Sequence, residues 1–129
     1  MARPAGIGPT EGELSILRIF WQRGQSTVRE VNRILNQTRK TGYTTTLKLM
    51  QIMLTKGILR RDESQRPQVY SPTITRDQVE RQLVGHLLER VFDGSASQFV
   101  QQVLAAKKAS PGEMAEIRRM LRHSGKEKS

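Results

Sequence analysis

The run Tyr43-Thr44-Thr45-Thr46-Leu47-Lys48-Leu49-Met50-Gln51-Ile52-Met53-Leu54-Thr55-Lys56-Gly57 reads as a single amphipathic helix. Leu47, Met50 and Leu54 share one face, and Thr46, Met50 and Met53 an overlapping one, which predicts a helix from about Tyr43 to Lys56. Threonine is a poor mid-helix residue but a good cap and hydrogen-bonding group, so the first turn is rich in polar side chains. Lys56-Gly57 closes the helix, with a cation near the negative end of the dipole and a glycine free to turn left-handed.

Upstream, Asn36 to Gly42 is polar and ends in glycine, as a turn or short loop does. Before it, Thr27 with Glu30 three residues later makes a capping box, and Val28, Val31 and Leu35 give the helix that follows an apolar face, with Ile34 beside it. A further helix is predicted from about Thr10 to Arg23. Thr10 caps it, Glu11 and Glu13 suit its first turn, and Leu14, Leu17 and Trp21 form its stripe with Ile16 and Phe20 alongside. Gly24 ends it.

Downstream, Ile58 to Arg61 and Gln68 to Ser71 flank a polar segment, which predicts a β-hairpin with a basic tip. Pro67 suits the loop, and Pro72 stops the second strand. Three helices are expected after it. The first runs from about Arg76 to Phe92, capped by Thr75, with Val79, Leu83, Leu87 and Val91 at every fourth position. Asp93-Gly94 breaks it. Ser95 starts the next, through about Lys107, carrying Phe99, Val103 and Leu104. Ser110 caps the last, with Pro111 at its first position and Met114, Ile117, Met120 and Leu121 as its apolar residues. The polar tail from His123 is expected to fray.

Helix, helix, helix, hairpin is the order of a winged helix. The chain is therefore expected to be mostly α: a winged helix-turn-helix domain over residues 1–75 and a three-helix dimerisation domain over residues 76–129. The second and third helices form the helix-turn-helix, and the third enters the major groove of DNA with its N-terminal side chains at base edges. Charge supports this. The chain carries 22 Lys and Arg against 12 Asp and Glu, a net +10 that favours a polyanionic partner. Residues 1–75 hold 12 basic and 5 acidic side chains, and residues 76–129 hold 10 and 7, so the excess lies in the proposed reading head.

Residues assigned to DNA are Thr27, Arg39, Lys40, Tyr43, Thr44, Thr45, Lys48, Arg61 and Arg66. Thr44 and Thr45 donate to phosphate or base oxygens and offer methyl groups to thymine, unless one of them only caps the helix. Tyr43 covers a sugar-phosphate or packs under the helix. Thr46 faces the core. The cations grip phosphate without reading sequence, as does Arg60, or are solvated surface. Residues assigned to dimerisation are Val79, Leu83, Leu87, Val91, Phe99, Val103, Ile117 and Leu121, whose wide stripes have little to pack on in one small monomer.

Other classes fit less well. With no cysteine there is no disulfide, thiolate metal site or cysteine nucleophile, and His86 and His123 lie too far apart in sequence for a ligand pair, so no metal or other cofactor is expected. There is no Gly-rich phosphate loop and no histidine–carboxylate cluster at useful spacing, so an enzyme is not expected. Aromatic residues make up 5%, few for stacking on unpaired RNA bases. No apolar run spans a bilayer and Met1 to Pro9 does not resemble a signal peptide, which predicts a soluble cytoplasmic chain without membrane insertion. A winged helix that binds a protein partner rather than specific DNA remains the alternative.

Several motifs also resemble a known family: Gly12-Glu13-Leu14, Ile19-Phe20-Trp21, Thr27-Val28-Arg29-Glu30-Val31, Tyr43-Thr44-Thr45-Thr46, Lys56-Gly57-Ile58-Leu59 and Val69-Tyr70-Ser71-Pro72. They are similar to the penicillinase repressor family, the BlaI/MecI type, over nearly the whole chain. The resemblance implies a cytoplasmic homodimer that binds an inverted-repeat, double-stranded operator and represses antibiotic-resistance genes, β-lactam resistance among them. It also implies a membrane-bound sensor metalloprotease as partner, which relieves repression by cutting within the C-terminal domain. The matching bond falls near Gln102-Val103, where the family's usual Asn-Phe is absent. A related branch senses copper through a cysteine-rich C-terminus, a mechanism closed to a chain without cysteine.

Overall fold

A computed structural model describes residues 8–106 and 110–128. Helices α1 (Glu11–Arg23), α2 (Val28–Leu35) and α3 (Tyr43–Thr55) precede strands β1 (Leu59–Asp62) and β2 (Val69–Pro72), and α4 (Arg76–Val91), α5 (Ala96–Ala106) and α6 (Pro111–Lys128) complete the chain. The winged-helix order is present. The chain forms two compact units, one ending at His86 and one beginning at Leu87.

In the first unit, each helix begins where its sequence dictates. Thr10 and Glu13 form a reciprocal capping box on α1, and Thr27 and Glu30 form one on α2. Thr75 and Gln78 do the same for α4, with the Gln78 N–H donating to Thr75 Oγ1 and the Thr75 N–H to Gln78 Oε1. At the end of α3, Gly57 has φ of 81°. This left-handed turn lets the Ile58 N–H donate back to the Met53 carbonyl and the Gly57 N–H to that of Leu54, closing the helix in a Schellman arrangement.

The core sits between α1, α2, α3 and the hairpin. Ile16, Leu17, Phe20, Val31, Met50, Met53, Leu59 and Tyr70 are buried there. Fully burying side chains such as Phe20 and Leu17 stabilises the fold by about 1.5–3 kcal/mol each before conformational entropy is counted. The strands are antiparallel, pairing Leu59 with Pro72, Arg60 with Ser71, Arg61 with Tyr70 and Asp62 with Val69. A third segment joins them: Ser26 and Tyr70 exchange both main-chain hydrogen bonds, 3.1 and 2.8 Å. The connection between α1 and α2 thus docks on the hairpin and fixes it to the helices.

The first unit also takes in the start of α4. Trp21 Nε1 donates to the Ile74 carbonyl at 3.0 Å, and the Arg76 guanidinium lies 5.7 Å from the Trp21 ring centroid. Val79, assigned from sequence to a dimer contact, is buried here, and a Cβ on Gly8 would stand 3.0 Å from Leu83 Cδ2. That assignment is corrected for Val79: its side chain is already covered within this unit, leaving no apolar surface for a partner.

In the second unit, Ser95 and Ser110 accept from the N–H groups of Gln98 and Glu113. The Phe92 and Phe99 rings meet edge to face with centroids 5.4 Å apart. None of its described side chains is buried. Leu87, Val91, Val103, Leu104, Met120 and Leu121 are all exposed, Val91 to 63%. The tail expected to fray from His123 is instead helical through Lys128.

Candidate nucleic-acid interface

The turn between α2 and α3 is held by two asparagines. Asn32 Nδ2 donates to the Thr41 carbonyl and to Thr46 Oγ1, both at 2.9 Å. Asn36 Nδ2 donates to the same Thr41 carbonyl, and Asn36 Oδ1 accepts from the Thr41 N–H, each at 2.9 Å. Thr46 is therefore the buried member of the threonine run, satisfied by α2, as expected. Its partner Asn32 was not foreseen.

With Thr46 inward, Thr44, Thr45 and Lys48 are exposed. Neither Thr44 nor Thr45 caps α3. The cap position belongs to Gly42, which offers no side-chain hydrogen bond. Tyr43 is 44% exposed and does not pack under the helix; the Arg29 guanidinium lies over its ring, 5.6 Å from the centroid. Arg29 is exposed beside these groups, and the sequence reading passed over it because it sits inside the α2 capping box.

Two grooves flank the start of α3. One, of about 250 Å³, brings together Thr27 and Arg29 of α2, Tyr43 and Leu47 of α3, and Pro67, Gln68 and Tyr70 of the hairpin. The other, of about 340 Å³, gathers Arg39, Lys40 and Thr45 with Thr38 and Thr41. Thr27 is half-buried, its hydroxyl accepting the α2 cap bond, which leaves the hydroxyl proton available.

The hairpin arginines divide by strand parity. Arg61 lies on the same side as buried Leu59, and its Nε is buried without a partner among the described residues. The Tyr70 hydroxyl and the Glu63 carboxylate hold its pKa above the ordinary arginine value. Arg61 is thus turned inward, and exposed Arg60 is the outward cation of β1. Arg66 is at the tip, exposed, with Nη1 donating to the Glu63 carbonyl at 2.6 Å and to that of Gln65 at 3.2 Å. Asp62 organises the tip: its carboxylate accepts from the Ser64 hydroxyl and N–H and from Gln65, which lowers its pKa.

Acids of this unit are largely occupied. Glu13 pairs with Lys56 at 2.8 Å, Glu30 with Arg23 at 3.1 Å and Glu63 with Arg61 at 3.7 Å. The Thr27 main-chain N–H, with Arg23, lowers the pKa of Glu30. Among the described residues, Arg29, Arg39, Lys40, Lys48 and Arg60 have no acidic partner. They are spread over α2, the turn, α3 and β1, and give this surface a positive field.

A model of the penicillinase repressor family matches residues 9–123. The chain belongs to the penicillinase repressor family. This member of it is a transcriptional regulator, a repressor that binds DNA, and not an enzyme. No curated protein is significantly similar to it. Among solved structures, it is similar to BpsR of Bordetella bronchiseptica, from work on regulation of that protein's DNA binding by 6-hydroxynicotinic acid. The two are 17% identical, the match covers 95% of this chain and 83% of that one, and the TM-score is 0.43. No helix of this repressor's described residues is long and apolar enough to cross a membrane.

Proposed function

We propose that this repressor binds an inverted-repeat operator as a cytoplasmic homodimer, with residues 1–75 reading DNA and residues 76–129 dimerising. The carrying observation is the exposed first turn of α3, Thr44 and Thr45 with Lys48 a turn later, set among cations that have no acidic partner among the described residues. In this reading Thr44, Thr45 and Lys48 reach base edges. Thr27, Arg29, Arg39, Lys40, Tyr43, Arg60 and Arg66 meet phosphate, with Arg61 bracing the wing from inside. The homodimer is supported by the uncovered apolar faces of the second unit, where Leu87, Val91, Phe99, Val103, Ile117 and Leu121 would meet their copies. Two heads related by a two-fold axis match a palindrome.

The regulated genes, in this proposal, are resistance genes such as those against β-lactams, and a membrane-bound sensor metalloprotease ends repression by cutting α5. Gln102 and Val103 are exposed there, which supports access to that bond. The test is a titration of a fluorescent duplex of the chain's own upstream promoter at several salt concentrations, with sedimentation alongside. Tight binding that prefers the promoter and weakens steeply with salt, by a dimer, is expected. Equal affinity for random duplex would favour a protein-binding winged helix instead, and a monomer at micromolar concentration would end the dimer reading.

A further inference from the structure

The exposed stripe of α3 extends well past its threonines. Thr44, Thr45, Lys48, Gln51, Ile52 and Thr55 are all exposed, at helical spacing, opposite buried Thr46, Met50 and Met53. At the rise of an α-helix this stripe is about 16 Å long, enough to follow a major groove about 12 Å wide.

Two residues beyond Lys48 are unexplained by the fold. Ile52 is 49% exposed, a large branched apolar side chain between Lys48 and Lys56 on a helix that carries no acid. An apolar group gains nothing from phosphate. Beside it, the Thr55 hydroxyl donates to the Gln51 main-chain carbonyl at 3.1 Å, and the Gln51 side-chain amide has no hydrogen-bond partner among the described residues.

These two chemistries match one kind of base pair. A primary amide donates and accepts in one plane, as required by the N7 acceptor and N6 donor of adenine in the major groove. Thymine alone among the bases offers a methyl group there, and an exposed isoleucine gains by covering it. We infer that Gln51 and Ile52 determine operator specificity by reading A·T pairs: Gln51 grips adenine through N6 and N7, and Ile52 packs on a thymine methyl. This rests on α3 being the DNA-facing helix, as proposed above. The absence of acids along the stripe and the adjoining Lys48 favour DNA as the occupant over a second copy of the chain.

The full chain is used to select duplexes from a randomised pool. Affinity is then measured for the selected duplex and for two analogues, one with uracil in place of thymine and one with the deaza adenine that lacks N7, position by position. Wild type is expected to lose about fourfold at one uracil position per half-site and roughly 5- to 100-fold at one deaza position. Ile52→Ala should abolish the first penalty only, and Gln51→Ala the second only. Because the analogues act on the wild-type chain, the answer does not depend on how the variants fold. Specific binding that is indifferent to both analogues at every position overturns this inference and leaves the operator reading standing. A selection that enriches no sequence overturns both. An Ile52→Ala chain that keeps the uracil penalty but sediments differently from wild type overturns the inference by placing a second copy on Ile52.

Discussion

Lys56 Nζ lies 2.8 Å from Glu13 Oε2, joining the end of α3 to the first turn of α1 across 43 positions. The acid is 1% exposed and the lysine 48%. Glu13 also accepts from the Thr10 N–H as its capping-box partner, so one carboxylate both caps the start of α1 and anchors the end of α3. Lys56→Met would leave that carboxylate buried and unpaired. Because the lysine is half in water, we expect a loss of about 1–3 kcal/mol rather than the full cost of breaking a buried pair. Urea unfolding measures it, and Glu13→Gln in the same chain should restore part of the loss.

The same pair sets a pH dependence. Burial pushes the Glu13 carboxyl up, but the Lys56 ammonium and the Thr10 N–H outweigh it and hold its pKa below 4.5. A group whose folded pKa is lowered stabilises fully above its unfolded pKa and loses that contribution as pH falls through the folded value. Stability should therefore decline on the acid side, below about pH 5, and Glu13→Gln should flatten that decline while leaving the neutral region nearly level. An acid limb identical in the two proteins would contradict this.

Asn32 touches no proposed DNA atom, yet it sets the turn that presents α3. Asn32→Ala removes its bonds to Thr41 and Thr46 and leaves buried Thr46 without its donor. We expect about 1–3 kcal/mol of destabilisation and weaker operator binding even at temperatures where the variant is fully folded. Fluorescence anisotropy alongside a thermal melt separates the two effects.

Strand parity predicts opposite outcomes for neighbouring arginines. Arg60→Ala should leave unfolding nearly unchanged, weaken binding to all duplexes alike and reduce the salt slope by about one. Arg61→Ala should chiefly lower the stability of the hairpin, because its side chain lies beside Tyr70. Salt-dependent titrations of both variants test the assignment, and a reversed pattern would put Arg61 on the DNA.

Much of this was legible in the sequence because it is local. The cap at Thr10, the box at Thr27, the inward Thr46, the Gly57 stop and the hairpin all follow from residues within a few positions of one another. What sequence reading missed depends on distant partners. Glu13 reads as an ordinary first-turn acid until Lys56 meets it, and Ser26 gives no sign of pairing with Tyr70. Arg61 was assigned to DNA for its charge, although its register beside Leu59 turns it inward. Val79 looked continuous with Leu83 and Leu87, but packing within the first unit covers it.

Five helices begin under a hydroxyl that accepts an N–H, from Thr10, Thr27, Thr75, Ser95 and Ser110. Among the described residues α3 alone begins bare, at Gly42. The free protein is in this respect unfinished. Its first α3 amides have no side-chain acceptor among the described residues, and a phosphate oxygen at the groove edge would supply one. If the operator docks there as proposed, it and a side-chain cap would compete for the same donors. Gly42 has an extended backbone and open space around its would-be Cβ, so Gly42→Ser should fit. We expect it to raise the melting temperature slightly, from about a few tenths of a kcal/mol of capping energy, while loosening the grip on DNA. A protein that grows sturdier and represses less would show that this helix was left open for its ligand.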